Sequence, residues 1–334
     1  MKNHYTIKDL ASKLNIHHTT VSRALRNHPD ISEETRKLVL DAALKYNYIP
    51  NSFAKSLRNA KSKTIVVLVP TIRNYFFSEI LGVISDLAFH RGYSVMIYQS
   101  NEELNMEMKN LESIMENRVG GVIASVANIE KNEEKFLRLE KMKIPVVLFD
   151  RFYAYGRFSR IIVNNFKGAF DATEYLIKSG KSNIAFYRGQ KNNPVFIERY
   201  RGYRDALQKN GIQFNEDLIY DGGIKIEDGT ALIYTISKNN RKADAILCVV
   251  DMVALGVITG SRELGIDIPH DIALIGFDNE PAGRIIRPAL TTIAQPIEKV
   301  GRRAFELLLS KINHSKEIPN DIELDMELIK RTSA

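Results

Sequence analysis

The spacing of apolar positions changes its rhythm near residue 63. Before that point it is helical. Ile7, Leu10, Ala11 and Leu14 repeat at the spacing of one helix face. Thr6 precedes them and Asp9 follows three residues later, a capping-box pattern. Asn15-Ile16-His17 interrupts the pattern, and the stretch from His18 to Leu25 resumes it with Val21, Ala24 and Leu25 inward. Ser32 is placed to cap a third helix, with Glu33 and Glu34 in its first turn, where negative charge opposes the helix dipole favourably. The spacing predicts that this helix buries Val39, Leu40, Ala43 and Leu44 and ends before Pro50.

After Lys63 short continuous apolar runs alternate with helical stretches. "TIVVLVP", "YSVMIYQ", "GGVIASV" and "IPVVLFD" come first, and after Ile161 the rhythm restarts with "NIAFYRG", "AILCVV" and "ALIGFD". Strands that are apolar at every position have both faces covered, so the pattern predicts two doubly wound lobes of α/β type, each a parallel sheet between helices. No G-x-G-x-x-G follows the first strand, which argues against a dinucleotide fold. Ligands of such sheets bind beyond the carboxyl ends of the strands. Those ends carry Asn74-Tyr75-Phe76-Phe77, Asp150-Arg151, Arg188, Asp251 and Asp278-Asn279. Rings to stack on a sugar face and charged groups to bind its hydroxyls are the mixture a carbohydrate needs. Asp251 also opens a helix and Asp278 a turn, so capping explains each of them equally well.

Composition narrows the classes. The chain has 334 residues, 44% hydrophobic and 26% charged, which suits two or three globular domains. No apolar run approaches the roughly 20 residues of a membrane span. The first residues are polar, without a signal-peptide core, and Cys248 is the one cysteine, so a cytoplasmic protein without disulfides is expected. The formal charge of +7 is uneven. Residues 1–63 hold 12 Lys and Arg against 5 Asp and Glu, whereas residues 64–334 hold 35 of each. A small tri-helical unit with polar outward residues His18, Thr19, Ser22 and Arg23 is either a helical bundle with a solvated face or a helix-turn-helix whose second helix enters a major groove. The confined positive charge favours DNA. Residues 50–63, "PNSFAKSLRNAKSK", read alone as a basic tether, although Phe53, Ala54 and Leu57 share one face of a short helix.

Here the order of motifs becomes specific. "TIKDLASKLNIHHTTVSRAL" and "ISEETRKLVLDAALKYNYIPNSFAKSL" resemble the lactose-repressor/galactose-repressor family of bacterial regulators, over its pattern T-x-x-D-x-A, T-V-S-R, S-x-x-T-R, Y-x-P-N and A-x-S-L. "NYFFSEI", "VVLFDR", "RYRGYRDAL", "ADAILCVVDMVALG", "LGIDIPHDIALIGFDN" and "PALTTIAQP" continue the resemblance to the end of the chain. It implies that the second helix reads bases through His18, Thr19 and Arg23, with Ser22 beside them. It implies that residues 50–63 fold as a hinge helix on DNA, with Leu57 as a minor-groove wedge, Ala54 at the contact with a second copy, and Lys55 and Arg58 against the DNA. It also implies two periplasmic-binding-protein-like lobes joined by three crossovers, a homodimer, and an effector held by Phe76, Phe77, Arg199, Leu247 and Asp278, to which the strand-end residues Arg151, Arg188 and Asp251 are added. His17 and His18, Tyr75, Leu247 and Val250 depart from the residue types common there. The domain plan is then 1–49 for the helix-turn-helix, 50–63 for the hinge, and 64–334 for the effector and dimerisation domain. Within the last, the first lobe is expected over about 64–162 and 292–318 and the second over about 163–291 and 319–334.

The expected function is a cytoplasmic, dimeric regulator, a repressor of carbohydrate-related genes, that binds a palindromic DNA operator under control of a sugar or sugar derivative. A regulator of the same type that answers to a purine or nucleoside, and a free solute-binding protein for sugar uptake, are the alternatives. An enzyme is not expected: the chain lacks G-x-S-x-G, H-E-x-x-H, a P-loop and metal-ligand spacing of Cys and His. No cofactor and no metal are called for.

Overall fold

The computed structural model describes residues 5–48, 62–126, 129–151, 158–238, 243–314 and 321–334. It divides into two units, 1–62 and 63–334. In the first, α1 (Ile7–Leu14), α2 (His18–Ala24) and α3 (Glu33–Lys45) surround a small core of Leu10, Ala11, Val21, Ala24 and Val39. The helix starts follow the sequence. Thr6 Oγ1 accepts from Asp9 N at 3.2 Å while Thr6 N donates to Asp9 Oδ2 at 2.8 Å, a complete capping box. Asn15 ends α1 in the left-handed conformation at φ 51°, and Ser32 caps α3. The third helix corrects the sequence reading. Its inward stripe is Val39, Ala42, Ala43 and Tyr46, whereas Leu40 and Leu44 are 45% and 77% exposed. The pair Leu40 and Leu44 keeps the helical spacing, yet lies about one residue step around the helix from the face that meets α1 and α2.

The second unit contains two sheets. The first joins β1 (Thr64–Val69), β2 (Ser94–Gln99), β3 (Gly121–Ala124), β4 (Val146–Asp150), β5 (Ser159–Val163) and β11 (Asp321–Leu324), in the order β11-β5-β4-β3-β1-β2. The helices around it are α4 (Tyr75–His90), α5 (Leu104–Glu116), α6 (Ile129–Lys141) and α12 (Ile297–Ile312). Both faces of β1 are covered, which is why it is apolar throughout. Ile65, Val67 and Val69 pack with α4 and α12, and Val66 and Leu68 pack with α5. The second sheet joins β6 (Ile184–Gly189), β7 (Ile219–Asp221), β8 (Ala245–Cys248), β9 (Ala273–Phe277), β10 (Thr291–Ala294) and β12 (Glu327–Ile329), in the order β12-β10-β9-β8-β6-β7. Around it lie α7 (Asn165–Lys178), α8 (Pro194–Lys209), α9 (Ile226–Lys238), α10 (Asp251–Leu264) and α11 (Ala282–Ile285). Its edge strand β12 runs antiparallel to β10, a departure from an all-parallel lobe.

The chain passes between the sheets three times: after β5, after β10 and after β11. Two of the expected lobe limits therefore shift. Thr292 lies inside β10, which pairs with β9 in the second sheet, so the crossing falls at Gln295-Pro296 rather than at 292. Residues 321–324 belong to the first sheet, because β11 pairs with β5 and the Arg160 guanidinium clamps Asp321 with two bonds of 2.7 and 2.6 Å.

Helices α9 and α10 touch backbone to backbone. A Cβ on Gly256 would lie 1.9 Å from the Ile226 carbonyl oxygen, and one on Gly229 would lie 1.9 Å from that of Val253. Gly256→Ala is expected to force the helices apart and cost roughly 1–3 kcal/mol. Urea unfolding of that variant checks it, and an unchanged midpoint would contradict this packing.

Candidate functional site

In the first unit, α2 presents its polar face outward. His18, Thr19 and Arg23 are exposed and Ser22 is half-buried, while Val21 and Ala24 hold the helix on the core. Arg23 is only loosely paired, its Nη1 lying 3.9 Å from Asp30 with both side chains mostly exposed. His17 caps the helix: its Nδ1 lies 3.5 Å from Thr19 N and 2.8 Å from Thr19 Oγ1, and its ring packs on His18 with centroids 4.2 Å apart. Ala54, Lys55, Leu57 and Arg58 lie outside the described residues.

In the second unit, both sheets share the order in which the first strand is flanked by the second and third. The crevice for a ligand then lies beyond the carboxyl ends, where the connections diverge. The first lobe supplies Phe76 and Phe77 from the start of α4 and Asp150 from the end of β4. Asn74 Oδ1 caps Phe76 N at 2.9 Å and so fixes the turn. The two rings meet edge to face at 5.2 Å, and Phe77 meets Phe149 in the same way at 6.1 Å. Asp150 is buried with φ 74° and accepts from Ser125 Oγ at 3.0 Å. Arg151 is also buried; its guanidinium donates to Glu102 and lies 3.9 Å from Asp150.

The second lobe supplies Arg199 and Asp278. Arg199 sits fully buried in mid-α8. Its Nε donates to Asn165 Oδ1 at 2.9 Å, its Nη1 donates to the Val249 carbonyl, its Nη2 lies 4.0 Å from Asp278 Oδ1, and its plane lies over Phe277 at 4.2 Å. Asp278 leaves β9 at φ 108°, with Gln295 Nε2 donating to its Oδ1 at 2.6 Å. Burial pushes Asp150 and Asp278 above the usual carboxylate range, and Arg199 opposes the shift of both. Burial lowers Arg199 in turn, against the pull of Asp278 and Asp150.

Three sequence-derived residues do not join this group. Leu247 is fully buried in β8, paired with Phe186 and Ile275 and packed in the core of the second lobe. Arg188 grips Asp221 at the end of β7 with bonds of 2.6 and 3.0 Å, and lies over Tyr200. Asp251 is buried and satisfied: Thr292 Oγ1 donates to it at 2.6 Å and Glu280 N at 2.7 Å, so it braces the turn after β9. Asp251 opens α10 without capping it, since Val250 holds the cap position and the Asp251 carboxylate turns to Thr292 and Glu280 instead. Asn165, Ser125 and Gln295 were missed. Each directly follows a strand or crossover, and a count of strand ends would have found them. An open cavity of about 240 Å³ beside the first crossover, lined by Val163, Phe166, Val195, Glu198 and Glu323, reaches Asn165.

Glu280, half-buried next to this group, is raised to about 7 by burial and by Asp278. Between its ordinary 4.5 and 7 the folded chain keeps a proton that the unfolded chain has released. The folded state then binds more protons, and stability falls as pH rises through that window. Glu280→Gln is expected to flatten the thermal midpoint against pH between 4.5 and 7. A difference from wild type that is constant across pH would contradict this.

Among the described residues no helix is long and apolar enough to cross a membrane, and no group of three or more His, Cys, Asp and Glu is placed to hold a metal ion. Comparison with known proteins matches residues 6–51 to the bacterial regulatory proteins of the lacI family and residues 173–334 to a periplasmic-binding-protein-like domain. Catabolite control protein A of Priestia megaterium is 31% identical over 309 residues, 92% of each chain. A lac repressor dimer bound to operator and an anti-inducer superposes with a TM-score of 0.86 at 23% identity, covering 99% of both chains. A LacI-family regulator from Enterococcus faecium with bound ribose gives a TM-score of 0.70 at 27% identity, over 81% of this chain and 98% of that one. With a helix-turn-helix at one end and two crevice-forming lobes after it, the chain belongs to the lacI family of bacterial regulatory proteins, DNA-binding transcription regulators that are not enzymes.

Proposed function

We propose that this regulator represses carbohydrate-related genes from the cytoplasm, as a homodimer on a palindromic operator, and that a neutral sugar bound between its two lobes sets its operator affinity. The observation that carries the sugar reading is the buried set Asp150, Arg199 and Asp278, together with the edge-to-face rings of Phe76 and Phe77 at the start of α4, where Phe77 meets Phe149, the residue before Asp150. Carboxylates and a guanidinium at fixed positions donate to and accept from hydroxyls, and the rings cover an apolar sugar face. Because Arg199 is matched by two carboxylates, the site favours a neutral polyol over a sugar phosphate. The ribose-bound relative supports the same class. Arg151 completes the effector contacts. His18, Thr19, Ser22 and Arg23 face the bases, and Ala54, Lys55, Leu57 and Arg58 act at the hinge. Apolar residues left exposed in the second unit, among them Ile97 on the edge strand β2 and Ile285 on α11 at 51% and 79%, support pairing with a second copy.

Calorimetric titration with ribose, glucose, galactose, ribose 5-phosphate and hypoxanthine tests the reading. A neutral monosaccharide is expected to bind, and Asp278→Asn to weaken it by roughly tenfold or more, since a carboxylate bond to a hydroxyl contributes about 1.5–3 kcal/mol. Binding of hypoxanthine alone would replace the sugar with a purine.

A further inference from the structure

The cap of α2 fixes the hydrogen-bond polarity of one base-facing side chain. Two polar groups of Thr19 reach the same nitrogen. Thr19 N lies 3.5 Å from His17 Nδ1, and Thr19 Oγ1 lies 2.8 Å from it. A backbone N–H can only donate, so Nδ1 carries a lone pair and the imidazole proton sits on Nε2. With Nδ1 an acceptor, the Thr19 hydroxyl must be the donor in the 2.8 Å contact. Its single proton is then committed to His17, and the lone pairs of Oγ1 are what remain to face outward. The ring that imposes this is itself held, packed on His18 at 4.2 Å and 45°. A serine or asparagine at the cap position starts a helix as well, so starting the helix does not require a histidine here.

We propose that His17 is a specificity-determining positioning residue: by taking the Thr19 hydroxyl proton it makes Thr19 an acceptor-only reader in the major groove. Free threonine donates or accepts and discriminates little. Acceptor-only threonine selects an exocyclic amino group, N6 of adenine or N4 of cytosine, and disfavours the keto oxygens of guanine and thymine. This rests on the reading that α2 lies in the major groove with Thr19 at a base edge.

Full-length wild type, Thr19→Ala, His17→Ser and His17→Asn are bound to an operator library randomised across each half-site. Thermal midpoints are recorded alongside, to show that the serine and asparagine caps keep the fold. In wild type, one base pair per half-site is expected to be preferred, and replacing its amino-bearing base by the analogue without the exocyclic amino group (purine for adenine, pyrimidin-2-one for cytosine) should weaken binding relative to Thr19→Ala by roughly two- to twelvefold, the range of one neutral hydrogen bond. Thr19→Ala should erase that preference. His17→Ser should erase it at the same position and leave preferences at the other positions in place. Wild-type binding that is unchanged when that amino group is removed overturns the inference even if both His17 variants fail to bind. So does a wild-type preference retained in His17→Ser or His17→Asn while Thr19→Ala loses it, a result that leaves the groove assignment standing. If Thr19→Ala changes no position at all, the groove assignment and the inference fall together.

Discussion

Replacing Arg199 with methionine is expected to lower the stability of the second unit by roughly 3–5 kcal/mol and to abolish the response to effector. The side chain is fully buried, and its guanidinium touches an amide oxygen, a carbonyl and an aromatic face and lies within reach of Asp278. Removing one member of a buried charge set leaves the others uncompensated, and such losses run at about 3–5 kcal/mol. In a unit of this size each kcal/mol moves the melting midpoint by roughly 2–4 °C, so a drop on the order of 10 °C is expected. The deficit should shrink as pH falls. Asp150 and Asp278 already sit above the usual carboxylate range, and without Arg199 they rise further, so protons neutralise them at a higher pH than in wild type. A deficit that does not change with pH would mean that the loss is one of packing and not of charge. Effector affinity should fall by more than roughly thirtyfold, since truncating one partner of a buried charged pair costs about 2–5 kcal/mol of binding.

The second large effect is expected from removing residues 1–62. The unit from 63 to 334 has its own cores on both sheets and should remain folded, with effector affinity close to that of the full chain. Operator binding should vanish, because residues 1–63 hold the entire charge excess of +7 and the α2 face. In the full chain the logarithm of operator affinity should fall linearly with the logarithm of salt, with a slope of about −0.9 per phosphate neutralised and several units in all. A truncated chain that still bound operator, or a slope near zero, would place the DNA contact elsewhere.

Much of the fold was legible in the sequence, for identifiable reasons. Strands covered on both faces are apolar at every position, so β1, β4 and β9 declared themselves. Thr6, Asp9 and Ser32 announced the helix starts through groups that must satisfy free backbone N–H. The lobe limits were less legible because a crossover leaves no compositional mark. β11 reads as the alternating "DIEL", and what assigns it to the first sheet is the clamp between Arg160 and Asp321, 161 positions apart. The face of α3 was misread because Leu40 and Leu44 keep helical spacing on a side that stays largely exposed among the described residues. In the site, strand ends pointed to Phe76, Phe77, Asp150 and Asp278. Leu247 lies instead in the core of the second lobe, and Arg188 and Asp251 are engaged by partners distant in sequence, Asp221 and Thr292, which local pattern does not show.

The central claim is that a sugar in the cleft and an operator on α2 are coupled through one molecule. It is tested by measuring the operator dissociation constant of the full chain with and without the monosaccharide that binds it best, and then that sugar's dissociation constant with and without operator DNA. Linkage requires the two ratios to be equal, and coupling of about 1–3 kcal/mol predicts a factor of roughly 5 to 150 in each. A sugar that binds the cleft and leaves operator affinity unchanged, with both ratios at one, would contradict the account.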